Sequence, residues 1–220
     1  MNLEFLHTQK LIGAWIEAEL LSLNKGYYAD ASKNIDISQF KNVRSNNINV
    51  YCKNLIDIGL IYKKISPVFR WIACSIISNK FGGKNFRPIE RDKMQIINEL
   101  ANFINNINRY IPNNFNSIFK SPLKILVEIA YGLNFNFAYD ELSILFALLC
   151  ESMGIPTILL INDKTKKVKI GVQAYSVFTD IASKDSKKDN FKKYMIIDFS
   201  KISKEELISV INDIKIETES

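Results

Sequence analysis

The 220-residue chain contains a single histidine, His7. Any mechanism that needs an imidazole base or several imidazole ligands would have to use that one residue. Cysteine is scarce as well: Cys52, Cys74 and Cys150 are an odd number and fit no zinc-ligand spacing. The sequence therefore predicts neither a disulfide framework nor a site for a metal ion or another cofactor.

Long apolar runs are missing. The most apolar segment, residues 71–77, is far shorter than the ~20 residues that a membrane-spanning helix needs. Glu4, Glu17 and Glu19 interrupt the N-terminal apolar stretch, and no cleavage site follows, so no signal peptide is predicted. We expect an intracellular protein with free thiols that does not act at a membrane.

The composition is that of a globular protein, with 47% hydrophobic and 24% charged residues. These values exclude a disordered or collagen-like chain, and the length is sufficient for a hydrophobic core. Lys and Arg total 29 against 23 Asp and Glu, which gives a net charge of +6. The chain is therefore only mildly basic.

The positive charge is concentrated between residues 37 and 87. We expect a basic surface there, formed by Lys41, Arg44, Lys53, Lys63, Lys64, Lys84 and Arg87. Aromatic residues such as Tyr51, Tyr62 and Phe69 are interleaved with these cations, and they could either stack on bases or form the core of the N-terminal helices. A nucleic-acid partner is therefore one hypothesis.

Apolar periodicity and turn residues divide the chain into helices followed by strands. The predicted helices cover residues 3–22, 50–64, 67–79, 93–108 and 140–153, with one more starting at Ser121 and a last one at 203–214. The predicted strands cover residues 157–161, 168–178 and 194–199. Helices followed by adjacent strands favour an α+β fold with an antiparallel sheet.

The helix at 140–153 is the best defined, because apolar residues occupy most of its circumference. Such a helix is buried on most sides, so we expect it to be the central helix of the fold. Gly154 and Pro156 are typical of the end of a helix.

Three segments in order resemble motifs of the transglutaminase-like domain of the papain-like superfamily. They are the helix at 139–156 with its Gly-Ile-Pro ending, the segment 173–177, and the segment 194–198 that ends in Asp. The similarity covers about residues 92–200 and is closest to the form carried by tailed bacteriophages and prophage-like elements. It implies a buried helix packed on an antiparallel sheet of three or more strands, with a domain at 89–220 and a helical N-terminal extension at 1–88.

The resemblance places the three catalytic positions of the family on Tyr139, Gln173 and Asp198, where the family has Cys, His and Asp. A phenol has an unperturbed pKa of about 10 and is a poor acyl nucleophile. An amide is not a base near neutral pH. The positions of the nucleophile and of the base are therefore held by residues that cannot perform those roles. Tyr139, Gln173 and Asp198 are then expected to form a hydrogen-bonded set that maintains the fold or binds a ligand.

Other residues offer little to restore catalysis. Cys150 follows Tyr139 by eleven residues, which places it about 16 Å deeper along the helix at 1.5 Å per residue. Ser143 has no base beside it in the sequence, and Cys52 and Cys74 are expected in the core. His7 would have to fold back into the site.

The first hypothesis is therefore a catalytically inactive transglutaminase-like protein, a pseudoenzyme that acts as a binding or assembly module. The resemblance implies a phage or prophage-like particle, a cytoplasmic or virion-associated location, and a protein partner among virion or assembly components. The alternative is an active cysteine-type peptidase, amidase or acyltransferase with a relocated nucleophile and base. A further alternative is a basic nucleic-acid-binding protein.

Overall fold

A computed structural model describes residues 6, 8–16, 39–63, 66–81, 90–112, 117–133, 136–162, 164–173, 194–201 and 208–211. In these ranges the helices are α1 (residues 8–16), α2 (Ile48–Lys63), α3 (Ser66–Phe81), α4 (Glu90–Asn105), α5 (Pro122–Ala130) and α6 (Tyr139–Ser152). The strands are β1 (Gln39–Phe40), β2 (Asn108–Tyr110), β3 (Phe119–Lys120), β4 (Asn136–Ala138), β5 (Thr157–Ile161), β6 (Val168–Gln173), β7 (Tyr194–Ile197) and β8 (Ile208–Ile211). The α+β class predicted from the sequence is confirmed.

The largest sheet has the strand order β5-β6-β7-β8, and all its pairs are antiparallel. Two small pairs lie outside it: β1 pairs antiparallel with β3, and β2 pairs parallel with β4. The short strands β1 to β4 were not predicted, because two or three residues are too few to show a two-residue periodicity.

Helix α6 is the centre of the fold, as its sequence predicts. Residues 139–146 and 148–150 are all buried, and the helix contacts α2, α3, α4, α5 and strand β6. After α6, the chain turns at Gly154, whose φ of 75° suits a residue without Cβ. The Ile155 N–H then donates to the Cys150 carbonyl at 3.0 Å, which closes the helix end.

One face of the sheet packs on α6. Val168, Ile170 and Val172 of β6 are buried and alternate with the partly exposed Lys169 and Gln173. Because side chains of a strand alternate between its faces, the three apolar residues face the core and the two polar ones face away from α6.

The N-terminal helices share the core of the C-terminal part. Buried residues of α2 and α3, such as Leu55 and Phe69, belong to the same apolar cluster as those of α6 and β6. The boundary at residue 88 between an extension (1–88) and a domain (89–220) stays a prediction, but the cluster crosses it.

The predicted C-terminal helix at 203–214 is wrong where the structure describes it. Residues 208–211 form strand β8, with Ile208 opposite Ile197 and Val210 opposite Met195. The segment is rich in β-branched residues, which favour a strand, and pairing with β7 outweighs the helical signal. The remaining residues of the predicted helix, 203–207 and 212–214, lie outside the described residues.

Glycine at position 171 is required by the packing of β5 on β6. A Cβ at Gly171 would lie 2.6 Å from Cγ1 of Ile158, its cross-strand neighbour. We expect Gly171→Ala to lower the free energy of unfolding by about 1–3 kcal/mol, the usual range for an overpacked site. The measurement is urea denaturation followed by circular dichroism.

Gly59 in α2 is the matched control for that substitution, because a Cβ there would meet no atom within 4 Å. Gly59→Ala should raise the free energy of unfolding by about 0.5–1 kcal/mol, since alanine favours a helix. Equal effects of the two substitutions would contradict the assigned register of β5 and β6.

Candidate functional site

Tyr139 is the first residue of α6 and is 6% exposed. Its phenol donates a hydrogen bond to the carbonyl oxygen of Lys166 at 3.3 Å. Burial, and then the negative charge of Asp140, raises the pKa of Tyr139 to about 12. The phenol is therefore neutral and is a poor nucleophile at physiological pH.

Asp198 follows the end of β7, and both oxygens of its carboxylate contact nearby residues. Oδ1 accepts hydrogen bonds from the Ser200 N–H at 3.0 Å and the Ser200 hydroxyl at 2.6 Å. Oδ2 lies 3.4 Å from Nζ of Lys169. Asp198 therefore holds the turn after β7 and pairs with a lysine of β6.

Gln173 does not join Tyr139 and Asp198. It lies opposite Tyr194 at the start of β7, whereas Asp198 follows Ile197, which lies opposite Ile170. At ~3.3 Å per residue, the four positions from Lys169 to Gln173 separate Gln173 from the residue beside Asp198 by about 13 Å. The expected set of Tyr139, Gln173 and Asp198 is therefore corrected: Lys169, not Gln173, accompanies Asp198.

Burial disfavours the thiolate form of two cysteines that could replace a nucleophile, Cys150 and Cys74. Cys150 is fully buried, and burial raises its pKa well above the ordinary value. Burial also raises the pKa of Cys74, whose sulfur lies 3.8 Å from that of Met153. The Ser143 hydroxyl donates to the Tyr139 carbonyl at 2.8 Å. His7 lies outside the described residues.

The most strongly built polar cluster lies at the start of α6, around Arg44. The Nε and Nη2 atoms of Arg44 each donate to a different oxygen of Asp140 at 2.7 Å. Nη2 also donates to Glu141 at 3.0 Å. The side chains of these three residues are at most 1% exposed. We call Arg44, Asp140 and Glu141 the buried clasp.

The partners around the buried clasp satisfy its remaining polar atoms. Nη1 of Arg44 donates to the hydroxyl and the carbonyl of Ser117 and to the Ile118 carbonyl, at 3.0–3.2 Å. The Tyr51 hydroxyl donates to Asp140 at 2.6 Å. Glu141 accepts from the Lys120 N–H at 2.8 Å and from the Ala138 N–H at 3.0 Å. This degree of satisfaction is what makes a buried ionic network stable.

The two carboxylates favour the charged form of Arg44, whereas burial disfavours the charged form of Glu141. Burial alone would lower the pKa of Arg44, but the hydrogen bonds and charges of Asp140 and Glu141 outweigh it, and the pKa rises. Burial raises the pKa of Glu141, although the Lys120 N–H and Arg44 oppose the shift. Two carboxylates that share one guanidinium, sealed from solvent, act as a structural link rather than as an acid–base pair.

Arg44 was therefore assigned wrongly as a member of the basic surface. A single charged residue in a polar loop gives no sequence signal of burial, because its partners lie about a hundred residues away. Lys41, Lys53 and Lys63 are exposed as expected, whereas Lys64, Lys84 and Arg87 lie outside the described residues. Tyr51, Tyr62 and Phe69 are buried in the core and cannot stack on bases from outside.

An open apolar groove lies between α2, α6 and β5. Its volume is about 240 Å³, and its walls include Leu60 of α2, Leu148 of α6 and Leu159 of β5. Ile56 and Leu60 on its α2 side are 50% and 56% exposed. An ion pair of 3.6 Å between Lys63 and Glu151 lies at its rim. Sequence reasoning missed this groove, because it arises from three elements distant in the chain.

The described residues contain no group of three or more His, Cys, Asp or Glu side chains that could hold a metal ion. Within the same ranges, no helix has the length and hydropathy needed to span a bilayer.

We expect a large loss of stability when the cation of the buried clasp is removed. Arg44→Met leaves two buried carboxylates without a counter-charge, so we expect the free energy of unfolding to fall by about 3–5 kcal/mol. Adding Asp140→Asn and Glu141→Gln to Arg44→Met should restore part of it. The measurement is chemical denaturation of the three proteins.

Lys63→Met is the matched control for Arg44→Met, since the ion pair of Lys63 with Glu151 is exposed and should contribute at most about 1 kcal/mol. Equal losses in Arg44→Met and Lys63→Met would contradict burial of the clasp.

The pKa of Tyr139 gives a test of its burial. The folded chain keeps this phenol protonated between pH 10 and about 12, whereas the unfolded chain loses the proton near 10. Stability therefore falls as pH rises above 10. The measurement is a pH titration of the absorbance at 295 nm, compared between wild type and Tyr139→Phe. The difference between the two curves should show one phenol that titrates near pH 12. A difference centred near pH 10 would contradict the burial of Tyr139.

Comparisons of this chain with protein-family models, with curated proteins and with solved structures find no match.

Proposed function

We propose that this chain is a non-catalytic binding or assembly module whose binding surface is the groove between α2, α6 and β5. The observation that carries the proposal is the exposure of Ile56 and Leu60 beside this apolar groove. Large apolar residues exposed together around a concavity are typical of sites that bind proteins or apolar ligands.

The chemistry at the start of α6 supports the absence of catalysis. A transglutaminase-like mechanism needs a thiolate at this helix terminus with a base beside it. Here the first residue is a neutral phenol, and the next two are bound to Arg44. Among the described residues, Ser200 and Lys169 hold Asp198.

The transglutaminase-like relationship is part of the same proposal. A buried helix followed by an antiparallel sheet is the order of elements that the resemblance implies. The position of Gln173 counts against carrying the histidine motif onto it, since Gln173 lies at the far end of β6. A component of a phage or prophage-like particle is the partner that the resemblance favours.

An activity assay tests the proposal. The full chain is incubated with a glutamine-containing peptide and a fluorescent primary amine, and separately with a peptide-amide library. We expect no turnover above buffer in either assay. Turnover that disappears in Asp198→Asn or in His7→Ala would contradict the proposal and would support the enzyme with relocated groups. Circular dichroism of each variant controls for unfolding.

A further inference from the structure

Strand β5 forms one edge of the four-stranded sheet, and no described residue pairs with its outer side. The hydrogen bonds to β6 identify which residues of β5 direct their backbone N–H and C=O groups to the outer edge. The Gln173 N–H donates to the Pro156 carbonyl, and the Asn162 N–H donates to the Lys167 carbonyl, both at 3.0 Å. In an antiparallel pair, residues that bond to the neighbouring strand alternate with residues that do not. The backbone N–H and C=O groups of the even-numbered residues of β5 therefore bond to β6. Those of the odd-numbered residues point to the outer edge of the sheet.

Thr157 confirms this alternation. Its N–H points away from β6 and donates to the Glu151 carboxylate at 2.7 Å. Glu151 thus covers the first outward-facing amide of β5. The next two, at Leu159 and Ile161, present their N–H and C=O groups at the open edge, about 7 Å apart at ~3.3 Å per residue. An added strand would form its backbone hydrogen bonds at this same spacing.

Strand β5 also lacks the devices that usually protect an edge. Its sequence, Thr-Ile-Leu-Leu-Ile, has no charge and no proline. Natural sheets place lysine, proline or a bulge on edge strands to prevent pairing with another chain. An apolar edge beside an apolar groove therefore favours the binding of a strand.

The charges at the two ends of β5 indicate the chemistry of the occupant. Lys63, whose side chain is 64% exposed, lies at the rim of the groove near the start of β5. Exposed Lys164 lies in the turn after Ile161. The acidic residue of the rim, Glu151, already binds Lys63 and Thr157. The ion pair with Glu151 offsets the charge of Lys63, so the end of β5 at Lys164 is the end that is complementary to an acidic residue.

We propose that the outer edge of β5 captures an extended apolar segment of a partner protein, with an acidic residue at the end that lies beside Lys164, as an added fifth strand. The backbone of the segment bonds to Leu159 and Ile161, and alternate side chains enter the groove beside Ile56 and Leu60. This inference rests on the proposed function and specifies its binding mode.

Selection from a displayed library of random dodecapeptides against the full chain tests the proposal. We expect enriched peptides with apolar residues at every second position and at least one acidic flank. Leu60→Asp should weaken their binding at least about tenfold, equivalent to ~1.4 kcal/mol. Leu133→Asp is the control, because Leu133 is 69% exposed but does not line the groove.

Three outcomes of the selection would overturn the inference: no enriched peptide, enriched peptides with helical spacing, or binding that Leu60→Asp leaves unchanged. None of them bears on the absence of catalysis, which the activity assay tests separately. A dimer of the free chain that Leu60→Asp dissociates would also overturn it, since a second copy would then occupy the edge.

Amide hydrogen exchange supplies an internal control within β5. In the free chain, the amides of Leu159 and Ile161 should exchange much faster than those of Ile158 and Leu160. An enriched peptide should slow the exchange of Leu159 and Ile161 selectively. Equal protection of all four amides in the free chain would mean that another segment of this chain covers the edge, and the inference would fail.

Discussion

The structure depends on one buried interaction, the pairing of Arg44 with Asp140 and Glu141. Two carboxylates at the start of a buried helix are costly to desolvate unless a cation accompanies them. Arg44, in the loop before α2, supplies that cation. Its planar guanidinium forms two hydrogen bonds with one carboxylate, that of Asp140. The clasp therefore joins the loop before α2, and Tyr51 within α2, to the start of α6. The two carboxylates at the start of α6 thus serve the fold.

The binding surface follows from the same arrangement. Because the clasp and the shared core position α2 beside α6, Ile56 and Leu60 stand next to strand β5 with a groove between them. Helix α2 is thus one wall of the groove. The edge of β5 supplies hydrogen-bonding groups, and the wall of α2 supplies apolar contact area.

Much of the fold could be predicted from the sequence, because local signals determine it. The apolar circumference of α6, the Ser121-Pro122 start of α5 and the apolar run of β5 all lie within single segments, and each element was found. The site was predicted less well, because it depends on pairing between distant segments. Placing Gln173 beside Asp198 assumed a register of β6 and β7 that local sequence does not encode. Arg44 similarly gave no local sign that its partners were Asp140 and Glu141.

The most direct test of the central claim is the Nε–H signal of Arg44 in ¹⁵N NMR spectra of the full chain at neutral pH. We expect a resolved Nε–H resonance that exchanges slowly with solvent and that shifts when Asp140 is replaced by Asn. A signal that exchanges as fast as that of a free arginine would show an exposed guanidinium. That result would contradict the buried clasp, and with it the assignment of the start of α6 to structure rather than to chemistry.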